Sequence, residues 1–324
     1  MQTVPYYQKK FTLYLQEKIQ TREPINLYEP MTYIIGLGGK RLRPVLALMA
    51  ADLFNDSYKQ ALDAALAIEV FHNFSLVHDD IMDAAPLRRG KRTVHKKWDV
   101  NTGILSGDAM LIEAYRLLES YEEPVFKKLM MLFSKTAMEV CEGQQYDVDF
   151  ETRDDVTISE YLKMIEFKTA VLVATAMRMG AIIGKASQKN QEAIYDFGLN
   201  LGIAFQLQDD FLDAFGDPKT FGKQVGGDII ENKKTYLYLK SLELGDAKTS
   251  KELIDLYSIQ SGNSIRKIKR VKEIYDLSGA SEQTRKAINS YTQEAFKNLE
   301  NLDVPEDKKA VFRKFGEELM GRNV

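Results

Sequence analysis

Several features that mark other protein classes are scarce in this chain of 324 residues. The single cysteine, Cys141, excludes a framework of disulfide bonds and indicates a reducing compartment, so we expect a cytoplasmic protein. A formal net charge of −3 leaves no polycationic surface for nucleic acid. No apolar run reaches about 18 residues, and the first residues lack a signal-peptide core. We therefore expect neither a membrane span nor a secretion signal.

Glycine and proline, with 20 and 8 residues, are also scarce, and alternating runs rich in Val and Thr are missing. Ala, Leu, Glu, Lys and Met are plentiful, which favours helices. We find no linker and no low-complexity segment. The composition therefore predicts an all-α protein with a single domain over residues 1–324.

An acidic motif closes the apolar segment 74–83. Apolar residues before it recur every three or four positions, which predicts a helix over residues 61–83. On that helix Asp79 and Asp83 share one face, and Asp80 lies beside them. The carboxylates of such a cluster repel one another unless a cation neutralises them. Carboxylate oxygens are ligands that favour Mg²⁺ or Mn²⁺.

The same pattern returns at residues 205–213, where Asp209, Asp210 and Asp213 repeat the spacing. One acidic triplet on a helix is most often a solvated face. Two triplets with identical spacing, each at the end of an apolar helix, are hard to explain as solvated faces and indicate a binding site. We expect them to face each other across one apolar-walled cavity, which would hold a diphosphate with a hydrocarbon tail through Mg²⁺.

A glycine-rich segment at residues 36–44 carries Lys40 and Arg43, which can point the same way at the start of a helix. Both suit a diphosphate, although a helix cap followed by surface charge explains the segment equally well. His72 lies two helical turns before Asp79. A lone histidine there is usually a core residue, and the nearby cations make it a candidate ligand contact.

Other cations follow the acidic motifs. A polar loop with Arg88 and Arg89 follows the first, and a glycine-rich loop with Lys223, then Lys233, follows the second. Lys168 interrupts an apolar run and is expected to have an anionic partner. Ordinary surface loops and a snorkelling lysine are the alternatives. Next to two acidic motifs, phosphate binding is favoured.

From about residue 30 to 240, these motifs resemble, in order, those of the (E)-polyprenyl diphosphate synthases. The matching segments are Gly39 to Pro44, Asp79 to Asp83, Arg88 to Gly90, Lys168-Thr169, and Phe205 to Asp213. The resemblance implies an all-α isoprenoid-synthase bundle with a central apolar cavity, a homodimer, and three Mg²⁺ ions. It also implies two substrates, isopentenyl diphosphate and an allylic diphosphate (dimethylallyl, geranyl or farnesyl).

The resemblance assigns a role to each site residue. Asp79 and Asp83 correspond to ligands of two Mg²⁺ ions and Asp209 to the ligand of the third. The remaining aspartates, Asp80, Asp210 and Asp213, correspond to metal or water-shell partners. The isopentenyl diphosphate pocket comprises Lys40, Arg43, His72 and Arg89. The allylic diphosphate contacts are Arg88, Lys168, Thr169, Gln206, Lys223 and Lys233.

The reaction that the resemblance implies has no nucleophile–base pair. Mg²⁺ and the cations stabilise the departing pyrophosphate, and isopentenyl diphosphate attacks the allylic carbocation. Many members end in a basic tail, whereas this sequence ends in Gly321-Arg322-Asn323-Val324. Closure of the site by the tail is therefore not expected.

Phe74 lies about 7.5 Å along the helix before Asp79 and corresponds to the floor for the growing chain. Ser75 is small and opens space beside it. One bulky floor residue without an insertion in the motif resembles enzymes that make C20 geranylgeranyl diphosphate. C15 farnesyl diphosphate is the alternative product.

Other functions are compatible with parts of the pattern. A terpene cyclase or a head-to-head condensing enzyme shares the fold, but usually lacks the Gly-Gly-Lys-x-x-Arg element. A non-catalytic partner subunit normally loses aspartates, and none is missing here. A divalent-cation-binding helical protein gives no reason for the paired cations, such as Arg88 and Arg89.

Overall fold

The chain is helical nearly throughout, as its composition predicts. The computed structural model describes residues 1–217, 225–258 and 264–321. The α-helices are α1 (Val4–Lys18), α2 (Ile25–Gly36), α3 (Leu42–Asn55), α4 (Leu62–Met82), α5 (Val94–Lys97), α6 (Val100–Leu118), α7 (Val125–Thr152), α8 (Ile158–Ile165), α9 (Val171–Ile183), α10 (Gln188–Phe215), α11 (Gly227–Ile230), α12 (Tyr236–Leu244), α13 (Ala247–Ser258), α14 (Ser264–Leu277), α15 (Ala280–Glu300) and α16 (Glu306–Met320). None of the described helices is long and apolar enough to cross a membrane.

The chain forms two compact units, each built from three separate segments. Unit 1 comprises Met1–Thr136, Leu172–Tyr195 and Leu302–Val311, and unit 2 comprises Ala137–Val171, Asp196–Asn301 and Phe312–Val324. The first acidic motif and the glycine-rich segment belong to unit 1. Lys168 and the second acidic motif belong to unit 2.

In unit 1, helix α4 is buried between α3 and α6. Its core side chains include Ile68 and Phe71, both inaccessible to solvent. Two glycines inside α6 allow α4 to approach closely: a Cβ at Gly107 would lie 2.2 Å from His78 Nε2, and one at Gly103 would lie 2.9 Å from Ile81 Cδ1. These glycines therefore fix where the acidic end of α4 lies.

The polar loop that we expected at residues 86–95 is partly ordered as a β-hairpin. Strands β1 (Leu87–Arg88) and β2 (Lys91–Arg92) pair antiparallel, with Leu87 opposite Arg92. Arg89 and Gly90 form the two-residue turn with φ of 52° and 73°. Positive φ at both positions is the type I′ geometry, which matches the twist of the strands.

In unit 2, α8 and α10 pack with the helices that follow them around a core that includes Tyr161, Phe211 and Leu237. Between α8 and α9 the chain makes one π-helical turn, Glu166–Ala170. Two glycines enclose this turn: a Cβ at Gly143 would lie 2.3 Å from the Lys168 backbone nitrogen, and one at Gly202 would lie 2.8 Å from Ala170 Cα. Since π turns are frequent at functional sites, the position of Lys168 on this one is informative.

Candidate active site

The first acidic motif lies at the C-terminal end of α4, in unit 1. Asp83 follows the last helical residue, and its N–H still donates to the Asp79 carbonyl at 2.9 Å, so the two remain one turn apart on one face. Asp80 points elsewhere and is 1% exposed. Arg88 binds it, with Nε 2.9 Å from each carboxylate oxygen, and Arg88 Nη2 lies 3.7 Å from Asp79 Oδ2. The second aspartate therefore has a protein cation as its partner.

Four predicted site residues of unit 1 are close together. Arg43 Nη1 lies 3.3 Å from His72 Nε2, and Arg89 Nη1 donates to the carbonyl of Gly38, two residues before Lys40 in the chain. Burial lowers the pKa of His72 well below its usual value, and the charges of Arg43 and Arg89 lower it further. His72 is therefore neutral at pH 7, and its Nε2 can accept a hydrogen bond from Arg43.

Burial also lowers the pKa of Arg43 and of Arg89 from their ordinary values, partly offset by the carboxylate of Glu69. The lowered pKa values mean that both guanidinium groups have lost hydration, and that Arg89 is also repelled by the charges of Arg41 and Arg88. An anion with two or more negative charges would relieve both penalties. The cluster is therefore suited to a diphosphate, and arginine can bind it with two parallel hydrogen bonds.

The two predicted chain-length residues lie on α4, before the motif. Phe74 is 8% exposed, and its ring lies 5.4 Å from the ring of Phe71 and 4.9 Å from that of His78. Ser75 donates to the His72 carbonyl at 2.9 Å. Whether Phe74 is the floor for a growing chain stays a prediction.

Unit 2 contains a cavity of about 490 Å³. The predicted residues that line it are Lys168, Thr169, Gln206, Asp209, Asp210 and Lys233. Asp213 is not among them: its Oδ2 accepts the N–H of Asp228 at 3.0 Å and so anchors the start of α11. Lys223 lies outside the described residues, as does the tail from Arg322 onward.

A chain of hydrogen bonds crosses this cavity. Thr169 Oγ1 donates to Gln206 Oε1 at 3.3 Å, and Gln206 Nε2 donates to Asp210 Oδ1 at 2.8 Å. The Tyr161 hydroxyl donates to the other oxygen of Asp210. Asp210 is thus held by two protein donors, while Asp209 beside it is more exposed.

The anionic partner that we expected for Lys168 is Asp147, which contacts its Nζ through Oδ2. Both side chains are 28% exposed, so the pair lies at the cavity surface. Burial opposes the charge of Lys233, but Asp228 and Glu231 raise its pKa above the usual range. Lys233 is therefore charged at pH 7.

The carboxylates of the cavity repel one another. Burial and the charge of Asp209 raise the pKa of Asp210 to about 6, although its two hydrogen bonds oppose this. Burial and the charges of Asp210 and Asp213 raise the pKa of Asp228 to about 8. Raised values at several neighbouring acids are typical of a functional site that takes up a cation.

Sequence reasoning missed three residues of this cavity. Asp228 follows two glycines, which is a usable signal for a residue near a ligand. Nothing in the sequence marks Tyr161 as a site residue, because a tyrosine in an amphipathic helix is ordinarily a core residue. Asp147 lies in an acidic helix end that carries several carboxylates, and only the structure shows which one contacts Lys168.

The C-terminal helix contacts the second acidic motif. The buried side chain of Gln208 donates from Nε2 to the Met320 carbonyl at 2.8 Å. Gly316 allows α16 to approach α15 closely, since a Cβ there would lie 2.8 Å from Phe296 Cε1. The residue next to Asp209 thus holds the end of α16.

Carboxylate oxygens suit Mg²⁺ in both motifs. In the described part of the chain, no three His, Cys, Asp or Glu side chains are arranged to hold a metal ion alone. Mg²⁺ usually keeps several waters and binds one or two carboxylates together with substrate phosphates. Asp79 with Asp83, one turn apart, fits that requirement. The expectation that both acidic motifs face one cavity stays a prediction.

Comparisons with known proteins agree with this chemistry. A sequence model described as polyprenyl synthetase matches residues 24–277, which contain both acidic motifs and every predicted cation. A relative from Geoglobus acetivorans, named geranylgeranyl pyrophosphate synthase, is 38% identical over 294 residues, 89% of this chain and 89% of the relative. A relative from Natronomonas pharaonis, named geranylfarnesyl diphosphate synthase, is 41% identical over 71% of this chain and 73% of its own.

A solved structure has the same fold. It is described as the crystal structure of a geranylgeranyl pyrophosphate synthase and is 56% identical to this chain. The TM-score is 0.96, and the alignment covers 100% of both chains.

Proposed function

Since the chain belongs to the polyprenyl synthetase family and is a prenyltransferase, we propose that it condenses isopentenyl diphosphate with an allylic diphosphate, head to tail. The product we propose is the C20 compound geranylgeranyl diphosphate. One observation carries the proposal beyond the family: each acidic motif has its own set of cations. Arg43 and Arg89, together with the neutral His72, accompany the first motif, and Lys168 and Lys233 accompany the second.

We infer from the two sets of cations that the protein binds two diphosphates. Lys40, Arg43, His72 and Arg89 bind isopentenyl diphosphate, which keeps its diphosphate through the reaction. Lys168, Lys233 and Thr169, with Arg88 and Gln206, contact the allylic diphosphate, which loses its diphosphate. A scaffold that only binds divalent ions does not need either set.

Three Mg²⁺ ions complete the proposed site, with Mn²⁺ as a substitute. Asp79 and Asp83 hold two of them and Asp209 the third, with Asp80, Asp210 and Asp213 as supporting acids. Bound there, the ions supply charge stabilisation for the leaving pyrophosphate. The supporting acids are already oriented, since Arg88 holds Asp80 and Tyr161 holds Asp210.

The protein's own side chains position charge in the proposed reaction. The allylic C1–O bond breaks, and the pyrophosphate leaves with its electron pair towards Lys168 and Lys233. The π electrons of isopentenyl diphosphate form the new C–C bond at C1. A proton then leaves carbon for the pyrophosphate. Donors that are fixed before the charge develops lower the barrier, because they do not have to reorganise.

The proposed C20 product rests on Phe74 and on the names of the relatives. The relative from Geoglobus acetivorans and the 56% identical structure are named for geranylgeranyl products, while the one from Natronomonas pharaonis is named for a longer product. Farnesyl diphosphate, C15, is the second candidate. A nearly buried phenylalanine one and a half turns before Asp79 favours a short product.

We also propose a homodimer that acts in the cytoplasm. Helix α6 presents exposed apolar side chains, namely Leu105 at 61% and Ile112 at 59%, two turns apart on one face. Ile104 and Val100 extend that face, and Met131 of α7 is 67% exposed. An apolar surface of this kind is typical of an interface between subunits.

Incubation with isopentenyl diphosphate and each allylic diphosphate (dimethylallyl, geranyl, farnesyl), with Mg²⁺, tests the function. We expect consumption of isopentenyl diphosphate, release of pyrophosphate and accumulation of a C20 alcohol after dephosphorylation. EDTA should stop turnover, and Mn²⁺ should restore part of it. Failure to consume isopentenyl diphosphate with any primer would leave a binding or partner-subunit role instead.

A further inference from the structure

Arg41 lies between two predicted diphosphate ligands, Lys40 and Arg43, but its side chain is buried. The side chain is 7% exposed, whereas Lys40 is exposed to solvent. Three cations that look alike in the sequence are therefore not alike in the structure. A guanidinium that faces away from solvent has another role than contact with an incoming diphosphate.

Both terminal nitrogens of Arg41 have partners inside unit 1. Nη1 donates to the Glu69 carboxylate and Nη2 to the Ile35 carbonyl. The Glu69 side chain is 3% exposed, and its Oε1 also accepts from Asn73 Nδ2 at 2.7 Å. Arg41 thus connects the end of α2, through Ile35, to the middle of α4, through Glu69.

The backbone at Arg41 is unusual. Its φ of 50° and ψ of 35° are left-handed, a conformation that is sterically unfavourable for an L-residue with a long side chain. Gly38 and Gly39, with φ of 82° and 128°, precede it. Since arginine is not a residue that favours this region, side-chain contacts hold it there. Those contacts are the buried pair with Glu69 and the hydrogen bond to the Ile35 carbonyl.

The turn held by Arg41 is the turn that carries the predicted pocket. Arg89 donates to the Gly38 carbonyl, and a Cβ at Gly39 would lie 2.9 Å from Arg89 Nη2. On α4, Glu69 lies one turn before His72, which is 3.3 Å from Arg43. Arg41–Glu69 and Arg43–His72 are thus neighbouring contacts between the same two helices.

Charge gives the pair a second effect. Glu69 is the carboxylate whose charge acts on both Arg43 and Arg89. Without Arg41, a buried and uncompensated negative charge would lie beside a pocket that must accept a diphosphate. A buried carboxylate needs such a partner.

We propose that the buried Arg41–Glu69 pair is a positioning device for the isopentenyl diphosphate pocket, and that Arg41 itself does not contact the substrate. The pair holds the left-handed turn that places Lys40, Arg43 and Arg89, and it cancels the charge of Glu69. The inference rests on the proposed function, because it takes isopentenyl diphosphate as the ligand of these cations.

Steady-state kinetics of Arg41→Met test the inference, with each substrate varied at saturation of the other. We expect KM for isopentenyl diphosphate to rise about 10- to 100-fold, because a displaced pocket cation would lose about one charge-assisted hydrogen bond to the substrate. KM for the allylic diphosphate should change less than about twofold. Arg41→Met/Glu69→Gln should recover part of the loss, because the uncompensated charge is then absent.

Two further variants keep the test decisive. Arg41→Lys retains the positive charge but loses the two-pronged guanidinium group. It should raise KM for isopentenyl diphosphate by about threefold or more. It replaces Arg41→Met in the test if the methionine variant does not fold. Arg22→Met, a change at a half-exposed arginine of unit 1, should leave both KM values as they are. A folded Arg41 variant with an unchanged KM for isopentenyl diphosphate overturns the inference, as does an equal rise in both KM values.

Calorimetric titration with inorganic pyrophosphate, without Mg²⁺ and without an allylic substrate, separates this inference from the proposed function. Weaker pyrophosphate binding by the variant, in a protein that never turns over isopentenyl diphosphate, would end the proposed function and retain the positioning role. Normal turnover by the wild type, with unchanged pyrophosphate binding and unchanged KM in the variant, would retain the proposed function and end the positioning role.

Discussion

In each acidic motif, protein side chains hold the second aspartate of the Asp-Asp pair. Arg88 binds Asp80, and Tyr161 with Gln206 binds Asp210, and these two carboxylates are buried. The preceding aspartates, Asp79 and Asp209, are more exposed. The two residues of each Asp-Asp pair therefore have different tasks, which identical letters in the sequence cannot reveal. Arg88 and Gln206 are close in the sequence to the carboxylates that they bind, whereas Tyr161 is 49 residues from Asp210, so only the fold identifies that donor.

Asp228 provides a pH test of the cavity in unit 2. Its pKa is raised to about 8, so the folded protein binds a proton that the unfolded chain releases near pH 4. This contribution to stability is present at low pH and is lost as the pH rises through about 8. Asp228→Asn cannot ionise. We therefore expect its Tm, relative to wild type in EDTA, to be higher at about pH 9 than at about pH 5.

Asp255→Asn is the matched control for that experiment, because Asp255 is exposed on α13. Its Tm difference from wild type should not change over this pH range. Mg²⁺ should raise the Tm of wild type at the higher pH and reduce the advantage of Asp228→Asn. A difference that is constant with pH would contradict the raised pKa.

Phe74 provides a test of product length. Phe74→Ala removes the ring beside Phe71 and His78, and we expect products longer than C20, identified by chromatography of the dephosphorylated lipids. The cavity left behind costs about 3 to 5 kcal/mol of stability, so Phe74→Leu is the milder companion. Phe54→Leu on α3 makes the same change elsewhere in unit 1. A product distribution identical to wild type in both Phe74 variants would exclude Phe74 as the floor.

At the scale of elements, periodicity predicted the helices well and the irregular segments poorly. The helix expected over residues 61–83 is α4, Leu62–Met82, whereas the hairpin at residues 87–92 and the π turn Glu166–Ala170 were not expected. The hairpin was missed because Arg89 occupies a left-handed position that normally selects Asn, Asp or Gly. The π turn was missed because one extra residue per turn does not interrupt an apolar run.

Gly143 gives a test of the π turn. A methyl group there would lie 2.3 Å from the backbone nitrogen of Lys168, which cannot move as a flexible side chain would. We expect Gly143→Ala to lower stability by about 1 to 3 kcal/mol and to reduce kcat, since it displaces Lys168. Thermal unfolding and steady-state kinetics measure the two effects.

Gly36→Ala is the comparison, because a Cβ at Gly36 meets nothing within 4 Å. It should be neutral or stabilising by up to about 1 kcal/mol. Equal behaviour of the two alanine variants would show that the close approach at the π turn is not needed.

At the scale of the whole molecule, each unit carries one acidic motif and one set of cations. The family match at residues 24–277 spans parts of both units. The sequence shows both acidic motifs and the candidate cations, because spacing between residues that are close in the chain is local information. The pairing of cations with particular carboxylates, such as Lys168 with Asp147, is long-range information that spacing does not carry.

A double-mutant cycle tests whether the two motifs act on one reaction. We expect Asp79→Asn and Asp209→Asn each to reduce kcat by about 1,000-fold or more. The double variant should be about as slow as the slower single variant, since residues that act as a unit are not additive. Asp255→Asn should retain wild-type kinetics. Losses that multiply would mean that the motifs act independently.

The apolar face of α6 gives a test of assembly. We expect light scattering after size exclusion to give a dimer for wild type and a monomer for Leu105→Asp/Ile112→Glu, because two buried charges would oppose association. Leu13→Asp changes a side chain that is 54% exposed on α1 and should remain a dimer. A wild-type monomer would end the proposed assembly.

The Arg41–Glu69 pair has a consequence for the evolution of related chains. Loss of either partner alone leaves a buried charge without a counter-charge. Substitutions at these two positions should therefore occur together during evolution. Homologues that have replaced the glutamate should also have replaced the arginine, and single replacements should be rare. The neighbouring Lys40 position, which is exposed, should show no such covariation with position 69.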